Sequence, residues 1–201
     1  MNIKKEFING VLAGICIGLG GACFLSCESK VVGSVLFGLG LFTIMLNGYN
    51  LYTGKICYLF DNKNKDYITL LFLSILGNVV GTLIIALICI ACSPSMNQKA
   101  IELCNKKLEL DFVSILMKSF MCDIFVYLAV DTYKRHKIVW GAFIFISAFI
   151  LCGFEHSVAD MYYFFTAGIF SLKAVYFILV VLLGNTVGGL FLPLLLKFRD
   201  K

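Results

Sequence analysis

Six long apolar stretches, separated by short polar segments, make up most of this chain of 201 residues. They cover approximately residues 7–27, 31–60, 67–92, 112–133, 138–165 and 172–196. A helix needs about 20 apolar residues to cross the hydrocarbon core of a bilayer, so each stretch is long enough for one span. The sequence therefore predicts an all-α integral membrane protein with six transmembrane helices, forming a single domain over residues 1–201.

Composition excludes the main soluble classes of protein. Apolar residues make up 60% of the chain and charged residues 14%, whereas soluble domains are about half apolar and a quarter charged. The net charge of +5 comes mainly from lysines between the apolar stretches. This pattern favours membrane lipid over nucleic acid as a partner. Cys89 and Cys92 form an isolated CxxC pair without a nearby histidine, so no metal site or cofactor is predicted.

Basic residues predict the orientation in the membrane, because they accumulate on the cytoplasmic side. We read the first apolar stretch as a retained helix, since five more spans follow it. With the N-terminus inside, ten basic residues lie on the inner side and five on the outer side. The ten are Lys4, Lys5, Lys63, Lys65, Lys134, Arg135, Lys137, Lys197, Arg199 and Lys201. The chain is thus predicted to be a multi-pass protein of the plasma membrane with both termini in the cytoplasm.

Polar residues interrupt the second and the fifth apolar stretch, at 47–55 and 153–160. Irregular backbone at membrane depth persists only where protein buries it or water reaches it. Broken helices at matching places of two halves are typical of a transport site.

The two halves of the sequence match. Leu-Gly-Asn-Val-Val-Gly-Thr-Leu at 76–83 recurs as Leu-Gly-Asn-Thr-Val-Gly-Gly-Leu at 183–190. Three spans per half is an odd number, so the second half enters the membrane in the opposite direction. This predicts an inverted repeat of approximately 1–95 and 105–201, whose broken helices meet around one path. Glycines four apart, such as Gly10 with Gly14 and Gly77 with Gly81, predict close helix packing.

Three ionisable residues share the second interruption. His156 lies beside Glu155 and four positions before Asp160. Ionisable groups within a membrane are costly and often line a path, and imidazole gains or loses a proton near neutral pH. The alternatives are a structural histidine and an aspartate that caps the following half-helix.

Two further polar residues lie within apolar stretches. Asp123 occupies the middle of the fourth stretch, where it either lines the path or pairs internally with Lys118 or Lys55. Thr53 lies in the first interruption and either contacts a passing ion or caps the next half-helix. Nearby aromatic residues fill the spans or form apolar constrictions that select by dehydration.

The interruptions resemble those of the formate–nitrite transporter family. The resemblance rests on Gly-Phe-Glu-His-Ser-Val-Ala-Asp-Met at 153–161, Leu-Tyr-Thr-Gly at 51–54 and the two Gly-Asn-x-x-Gly segments, and it covers nearly the whole chain. It implies an aquaporin-like six-helix fold and a homopentamer with one pore per subunit. It also implies a central histidine between two narrow slits.

The resemblance assigns roles to particular residues. His156 takes the central position and Thr53 that of the family's loop threonine. A vestibule lysine corresponds to Lys107 or its neighbour Lys106. The slit residues correspond to Leu41, Leu51 and Tyr52 on the cytoplasmic side and to Phe37 and Phe149 on the outer side.

Four positions depart from the family pattern. Asp123 and Asp160 stand where the family usually has asparagine, Asn50 replaces an acid and Tyr52 replaces phenylalanine. Two unit charges about 4 Å apart interact by roughly 4 kcal/mol at an effective dielectric constant near 20. Ionised aspartates near the histidine would therefore repel an anion and attract a cation, and the substitutions resemble those of ammonium-conducting members. Replacing Asp123 with Asn is then expected to restore anion tolerance.

The preferred hypothesis is passive conduction of ammonium or ammonia without covalent chemistry. Asp123 and Asp160 would recruit the cation, and His156 would accept its proton. The alternative is a channel for formate, nitrite or hydrosulfide, in which His156 donates a proton and Lys106 or Lys107 attracts the anion. A membrane-embedded enzyme using His156 with Glu155 or a cysteine, and a purely structural subunit, are the other classes considered.

Overall fold

The structure is a computed structural model that describes residues 1–199, and over this range its regular elements are all helices. They are α1 (Ile3–Ser26), α2 (Lys30–Asn47), α3 (Tyr52–Ile56), α4 (Lys65–Cys92), α5 (Pro94–Leu108), α6 (Phe112–His136), α7 (Trp140–Cys152), α8 (Ser157–Ala167) and α9 (Leu172–Arg199). The all-α prediction is confirmed.

Five of these helices, α1, α2, α4, α6 and α9, are each long and apolar enough to cross a membrane. The sixth span consists of α7 and α8, which are bent by 60° at the break between them. Large apolar side chains such as Phe72 and Ile144 point outward from the bundle. Such an apolar exterior fits surrounding lipid, and the six-span architecture is confirmed.

Both predicted interruptions exist, but they are shorter than predicted. The chain is non-helical at 48–51 and 153–156, where Gly48 and Gly153 end the preceding helices in the left-handed conformation, each with φ of 70°. Residues 52–55 and 157–160, predicted to be irregular, are helical. The reason is that side chains from elsewhere in the fold accept the first amide hydrogens of α3 and α8.

The sequence pattern does not predict helix α5, because its segment lies between two apolar stretches and is itself polar. Pro94 occupies its first turn, where the missing amide hydrogen costs nothing. Ala100 and Cys104 form its buried face, and Asn97 donates from Nδ2 to the carbonyl of Thr166 at 2.7 Å. The helix therefore lies against α8 at one end of the bundle.

The two halves pack in the same manner, α1 against α4 and α6 against α9. A Cβ added at Gly77 would lie 2.7 Å from backbone atoms of Gly10, and one added at Gly184 would lie 2.7 Å from the carbonyl of Leu116. The predicted close packing at these glycines is confirmed. The inverted repeat thus brings equivalent helix pairs into equivalent contacts.

The beginning and the end of the described chain lie at one end of the bundle. The N-terminal amine is 3.9 Å from Asp66, and Lys197 donates to the carbonyl of Phe60 at 2.7 Å. We call this end the terminal face. Helix α5 follows α4 and lies at the opposite end, which we call the α5 face.

Candidate transport path

One asparagine holds the first break in place. The amide hydrogen of Tyr52 is donated to Oδ1 of Asn78 over 3.0 Å. Nδ2 of Asn78 donates to the carbonyls of Gly10 at 2.8 Å and Asn50 at 3.0 Å. One side chain of α4 therefore joins the break to α1 and accepts the first amide hydrogen of α3.

Asn185 does the same for the second break. The amide hydrogen of Ser157 is donated to Oδ1 of Asn185 over 2.8 Å. Nδ2 donates to the carbonyls of Ser119 at 2.8 Å and Glu155 at 3.0 Å. Sequence reasoning noticed both asparagines only as markers of the repeat. Their occurrence at the same place in both halves was the available signal of a shared role.

The break that Asn185 fixes carries His156, which is buried beside Thr53 and Phe149. The Ala159 amide hydrogen is donated to Nδ1 over 3.2 Å, and Nε2 lies 3.0 Å from Oγ1 of Thr53. Since an amide hydrogen can only be donated, Nδ1 accepts. The neutral ring therefore carries its hydrogen on Nε2, toward Thr53. The ring also stacks on Phe149, with centroids 5.9 Å apart and planes inclined by 13°.

A cavity of about 340 Å³ opens from the α5 face to His156; we call it the α5 cavity. Phe37 and Phe149 belong to its lining, together with His156. Four lysines and two carboxylates also line it: Lys30, Lys106, Lys107, Lys118, Glu155 and Asp160.

A second cavity, of about 310 Å³, opens at the terminal face; we call it the terminal cavity. Leu41 and Leu51 belong to its lining. Lys55, Lys134 and Lys137 also line it, whereas its described lining contains no carboxylate. Lys134 places its ammonium group 3.6 Å from the ring centroid of Tyr58.

Buried side chains separate the two cavities. Phe37 and Phe149 bound the α5 cavity, Leu41 and Leu51 bound the terminal cavity, and all four are buried. His156 lines the α5 cavity and contacts Thr53. The structure thus places Phe37, Phe149 and His156 at one cavity and Leu41 and Leu51 at the other, with Thr53 in contact with His156.

Besides Thr53, which contacts His156, two sequence-predicted residues line neither cavity. The hydroxyl of Tyr52 is 2.8 Å from Oγ1 of Thr186, and its ring packs with the cluster around Ile56 and Tyr127. Asp123 is fully buried and lines neither cavity. Its carboxyl group has no hydrogen-bond partner among the described residues.

Lys107 forms ion pairs with Glu155 and Asp160, the other two acidic residues predicted for the site. Its ammonium group contacts Glu155 and lies 2.9 Å from Oδ1 of Asp160, while its side chain is only 11% exposed. Burial by itself lowers the pKa of Lys107, but the charges of Asp160 and Glu155 raise it more, so the pKa lies above its ordinary value. Lys106 lines the same cavity without such a contact.

No cluster of three or more His, Cys, Asp or Glu side chains suited to a metal ion exists within residues 1–199. The polar groups described above can attract an ion, hold hydrogen bonds and exchange protons. Together with two cavities on opposite faces, they form a candidate path across the bundle.

Known proteins share this fold. Two solved structures superpose over almost the whole chain: a pentameric formate channel with formate bound and an ion channel of the FNT family. The first is 20% identical, with a TM-score of 0.81, and the match covers 98% of this chain and 97% of that one. The second is 23% identical, with a TM-score of 0.86, and the match covers 100% and 91%.

Sequence comparisons lead to the same group. An uncharacterized transporter of Saccharomyces cerevisiae is 26% identical over 98% of this chain, which spans 37% of that relative's length. The formate-nitrite transporter of Plasmodium falciparum is 26% identical over 98% of this chain and 78% of its own length. The formate channel FocA of Escherichia coli is 22% identical over 79% and 64%.

The family model described as formate/nitrite transporter matches residues 1–199. With six spans, two matching breaks and an apolar exterior, this chain is a multi-pass membrane protein. It belongs to the formate/nitrite transporter family.

Proposed function

We propose that this chain forms a passive channel for small monovalent anions of weak acids, with formate as the first candidate. The charge of the two cavities carries this proposal. The α5 cavity has four lysines against two carboxylates, and the terminal cavity has three lysines without a carboxylate in its described lining. Cavities lined by one sign of charge raise the local concentration of oppositely charged substrates.

The buried slits explain why the anion should belong to a weak acid. Phe37 and Phe149 on one side, and Leu41 and Leu51 on the other, offer no charge that could replace the water around an anion. Moving a bare ion into such surroundings costs several kcal/mol. A weak acid avoids this cost by crossing the slits as the neutral molecule. The overall transport of anion plus proton is then electrically neutral.

His156 supplies the polar contact on this route. Its Nε2–H group can donate to an oxygen of the substrate instead of Thr53, from which it lies 3.0 Å away. Donating the proton itself would require a second proton on the ring. Nδ1 cannot take up this second proton, because the nitrogen already accepts the Ala159 amide hydrogen. The geometry therefore favours His156 as a hydrogen-bond donor over a proton donor.

The ammonium hypothesis depended on negative charge near the histidine. Asp123 lines neither cavity, and Asp160 is paired with Lys107. The names of the relatives also favour anions, since they include formate channels and formate-nitrite transporters. We therefore place the anion first, and ammonium becomes the competing outcome of the experiment.

We also propose that the channel is a homopentamer with one path per subunit and the terminal face in the cytoplasm. A formate channel of the same fold is pentameric. Both cavities and both slits are built from a single chain, so each subunit can hold a complete path. The excess of basic residues near the terminal face favours the cytoplasmic side for it.

Purified protein in liposomes with an internal pH-sensitive dye tests this function. A formate gradient should acidify the interior, because each anion enters with a proton, while an ammonium chloride gradient should cause no change beyond that of empty liposomes. His156→Phe keeps an aromatic ring on Phe149 but removes both nitrogens. Loss of one hydrogen bond of about 1.4 kcal/mol lowers the rate about tenfold.

His136→Phe is the matched control, because His136 is exposed at the end of α6. It should conduct formate like the wild type. Ammonium-dependent alkalinisation without formate uptake would overturn the proposed function in favour of ammonia conduction. Equal formate fluxes through both histidine variants would remove His156 from the path.

A further inference from the structure

One ammonium group faces two carboxylates at the inner end of the α5 cavity. Lys107 contacts both Glu155 and Asp160, and these carboxylate side chains are only 5% and 1% exposed. If both acids were ionised, the cluster would hold one uncompensated negative charge out of contact with water. An unpaired buried charge is strongly destabilising, and a bound proton removes it.

The atoms of the cluster indicate which acid holds that proton. Glu155 accepts a hydrogen bond from Lys107. Asp160 meets Lys107 through Oδ1 only, and its Oδ2 has no hydrogen-bond partner among the described residues. Oδ2 of Asp160 is therefore the atom left for the proton, and Glu155 remains as the counter-ion of Lys107.

No other described charge compensates Asp160. The titratable groups around it are Lys107 and Cys104 of α5, Cys122 of α6, Glu155 and His156 of the break, and Tyr163 of α8. Of these, only Lys107 is a cation, since Nδ1 of His156 accepts an amide hydrogen. Within residues 1–199, none of the other lysines that line the α5 cavity forms an ion pair with Asp160.

We propose that Asp160 carries a proton at rest and donates it to the weak-acid anion in the α5 cavity. The O–H bond at Oδ2 breaks and an O–H bond forms on the anion, which becomes the neutral acid and enters the slits. The Asp160 carboxylate left behind is stabilised by Lys107. Hydronium from the solution on the α5 face then protonates it again. Asp160 lines this cavity together with His156, which places the donor at the entrance of the slits.

A bound donor matters because the neutral acid is scarce at neutral pH. A carboxylic acid with a pKa near 4 is neutral in roughly one molecule per thousand at pH 7, and this fraction falls tenfold with each further pH unit. The flux through a channel that accepts only neutral acid from solution would be proportional to this fraction. A donor inside the α5 cavity instead makes the neutral form where it is needed. The inference rests on the proposed anion function.

The test compares the pH dependence of formate flux in the wild type, Asp160→Asn and Asp160→Glu in liposomes. The Asn variant has nearly the same shape and leaves Lys107 paired with Glu155, but it cannot donate a proton. Its flux should be lower at pH 7 by about tenfold and should fall about tenfold per pH unit, following the neutral acid in solution. The Glu variant should restore the shallower profile. Asp66→Asn, at an exposed site lining neither cavity, is the control.

The direction of the effect separates donation from simple electrostatics. If Asp160 acted only as a negative charge, replacing it with Asn should increase formate flux. Loss of a proton donor should instead lower formate flux, most strongly at high pH. Parallel pH profiles of wild type and Asp160→Asn would overturn the donor role while formate conduction stands. Ammonium flux without formate flux in the wild type would overturn the proposed function and the donor role together.

A second measurement does not depend on flux by the variant. Infrared spectra of the wild type at neutral pH should contain a carbonyl band of a protonated carboxylic acid that is missing from Asp160→Asn. Asp123 can contribute a band of the same kind, but it is common to both proteins and cancels in the difference. An unchanged band would overturn the resting proton on Asp160, whatever flux the variant supports.

Discussion

Asn185 should be one of the most sensitive positions of the fold. Replacing it with leucine keeps the volume but removes hydrogen bonds to the amide of Ser157 and to the carbonyls of Ser119 and Glu155. Hydrogen bonds within membrane proteins contribute about 0.6 kcal/mol on average and up to about 1.7. Three lost bonds therefore lower the free energy of unfolding by about 2–5 kcal/mol.

Reversible unfolding in mixed micelles by titration with SDS measures this loss. Asn47→Leu is the matched control, because Asn47 is exposed and donates only to the carbonyl of Thr43 within its own helix. Its effect should stay below about 0.5 kcal/mol. Formate flux through Asn185→Leu should also fall, since the break that carries His156 loses its hydrogen bonds to α9.

The inverted repeat gives an internal comparison. Asn78 makes the corresponding three bonds, to Tyr52, Gly10 and Asn50. Asn78→Leu should therefore cost about the same 2–5 kcal/mol as its counterpart. If either leucine variant were as stable as Asn47→Leu, the three hydrogen bonds of that asparagine would contribute nothing to stability and the prediction would be refuted.

Three further changes test other parts of the structure. Lys107→Gln leaves two buried acids without a cation and should lower the free energy of unfolding by about 3–5 kcal/mol, as measured by SDS titration. The pKa of Lys107 is raised in the folded protein, so its stabilising charge is present below about pH 10 and is lost only as the pH rises through the raised pKa. The acids of the variant can bind protons at the lower pH, so the loss should be smaller at pH 6 than at pH 9. Leu41→Ala widens the slit of the terminal cavity and should increase lactate uptake relative to formate; an unchanged ratio in a competition assay would contradict the slit assignment. Gly14→Leu places a Cβ 2.5 Å from the carbonyl oxygen of Asn78. It should lower the free energy of unfolding by about 1–3 kcal/mol in the same SDS titration. A variant as stable as the wild type would contradict the close packing of α1 on α4.

The spans and the positions of the breaks could be predicted from sequence because their signals are local. Length and hydropathy identify a span, and polar residues within an apolar stretch identify a break. The ends of the breaks are not local. The first amides of α3 and α8 are accepted by asparagines 26 and 28 residues away in the chain, so Tyr52 and Ser157 begin helices despite polar neighbours.

Helix α5 escaped prediction for a related reason. Only Ala100 and Cys104 among its residues are buried and the segment is polar on average, so it does not stand out as an apolar stretch. It is ordered by contacts with other elements, such as the bond from Asn97 to Thr166 and the bond from Lys99 to the carbonyl of Leu25 at 2.8 Å. The same helix delivers Lys107 to Asp160, which lies 53 positions later in the chain.

Asp123→Asn is the change for which the sequence and the structure predict different results. Counting charges near the histidine predicts that the variant gains anion tolerance. In the structure, Asp123 lines neither cavity, so its charge does not face an ion in either of them. Asp160 does line one, but by our proposal it is protonated at rest. Once it has given up its proton, its charge is opposed by Lys107 at 2.9 Å, a distance at which two unit charges interact by several kcal/mol at an effective dielectric constant near 20. We therefore expect Asp123→Asn to leave the ratio of formate to ammonium flux in liposomes unchanged. An increase of formate flux in this variant alone would show that the buried carboxylate acts on the path. Selectivity would then depend on the number of negative charges near His156.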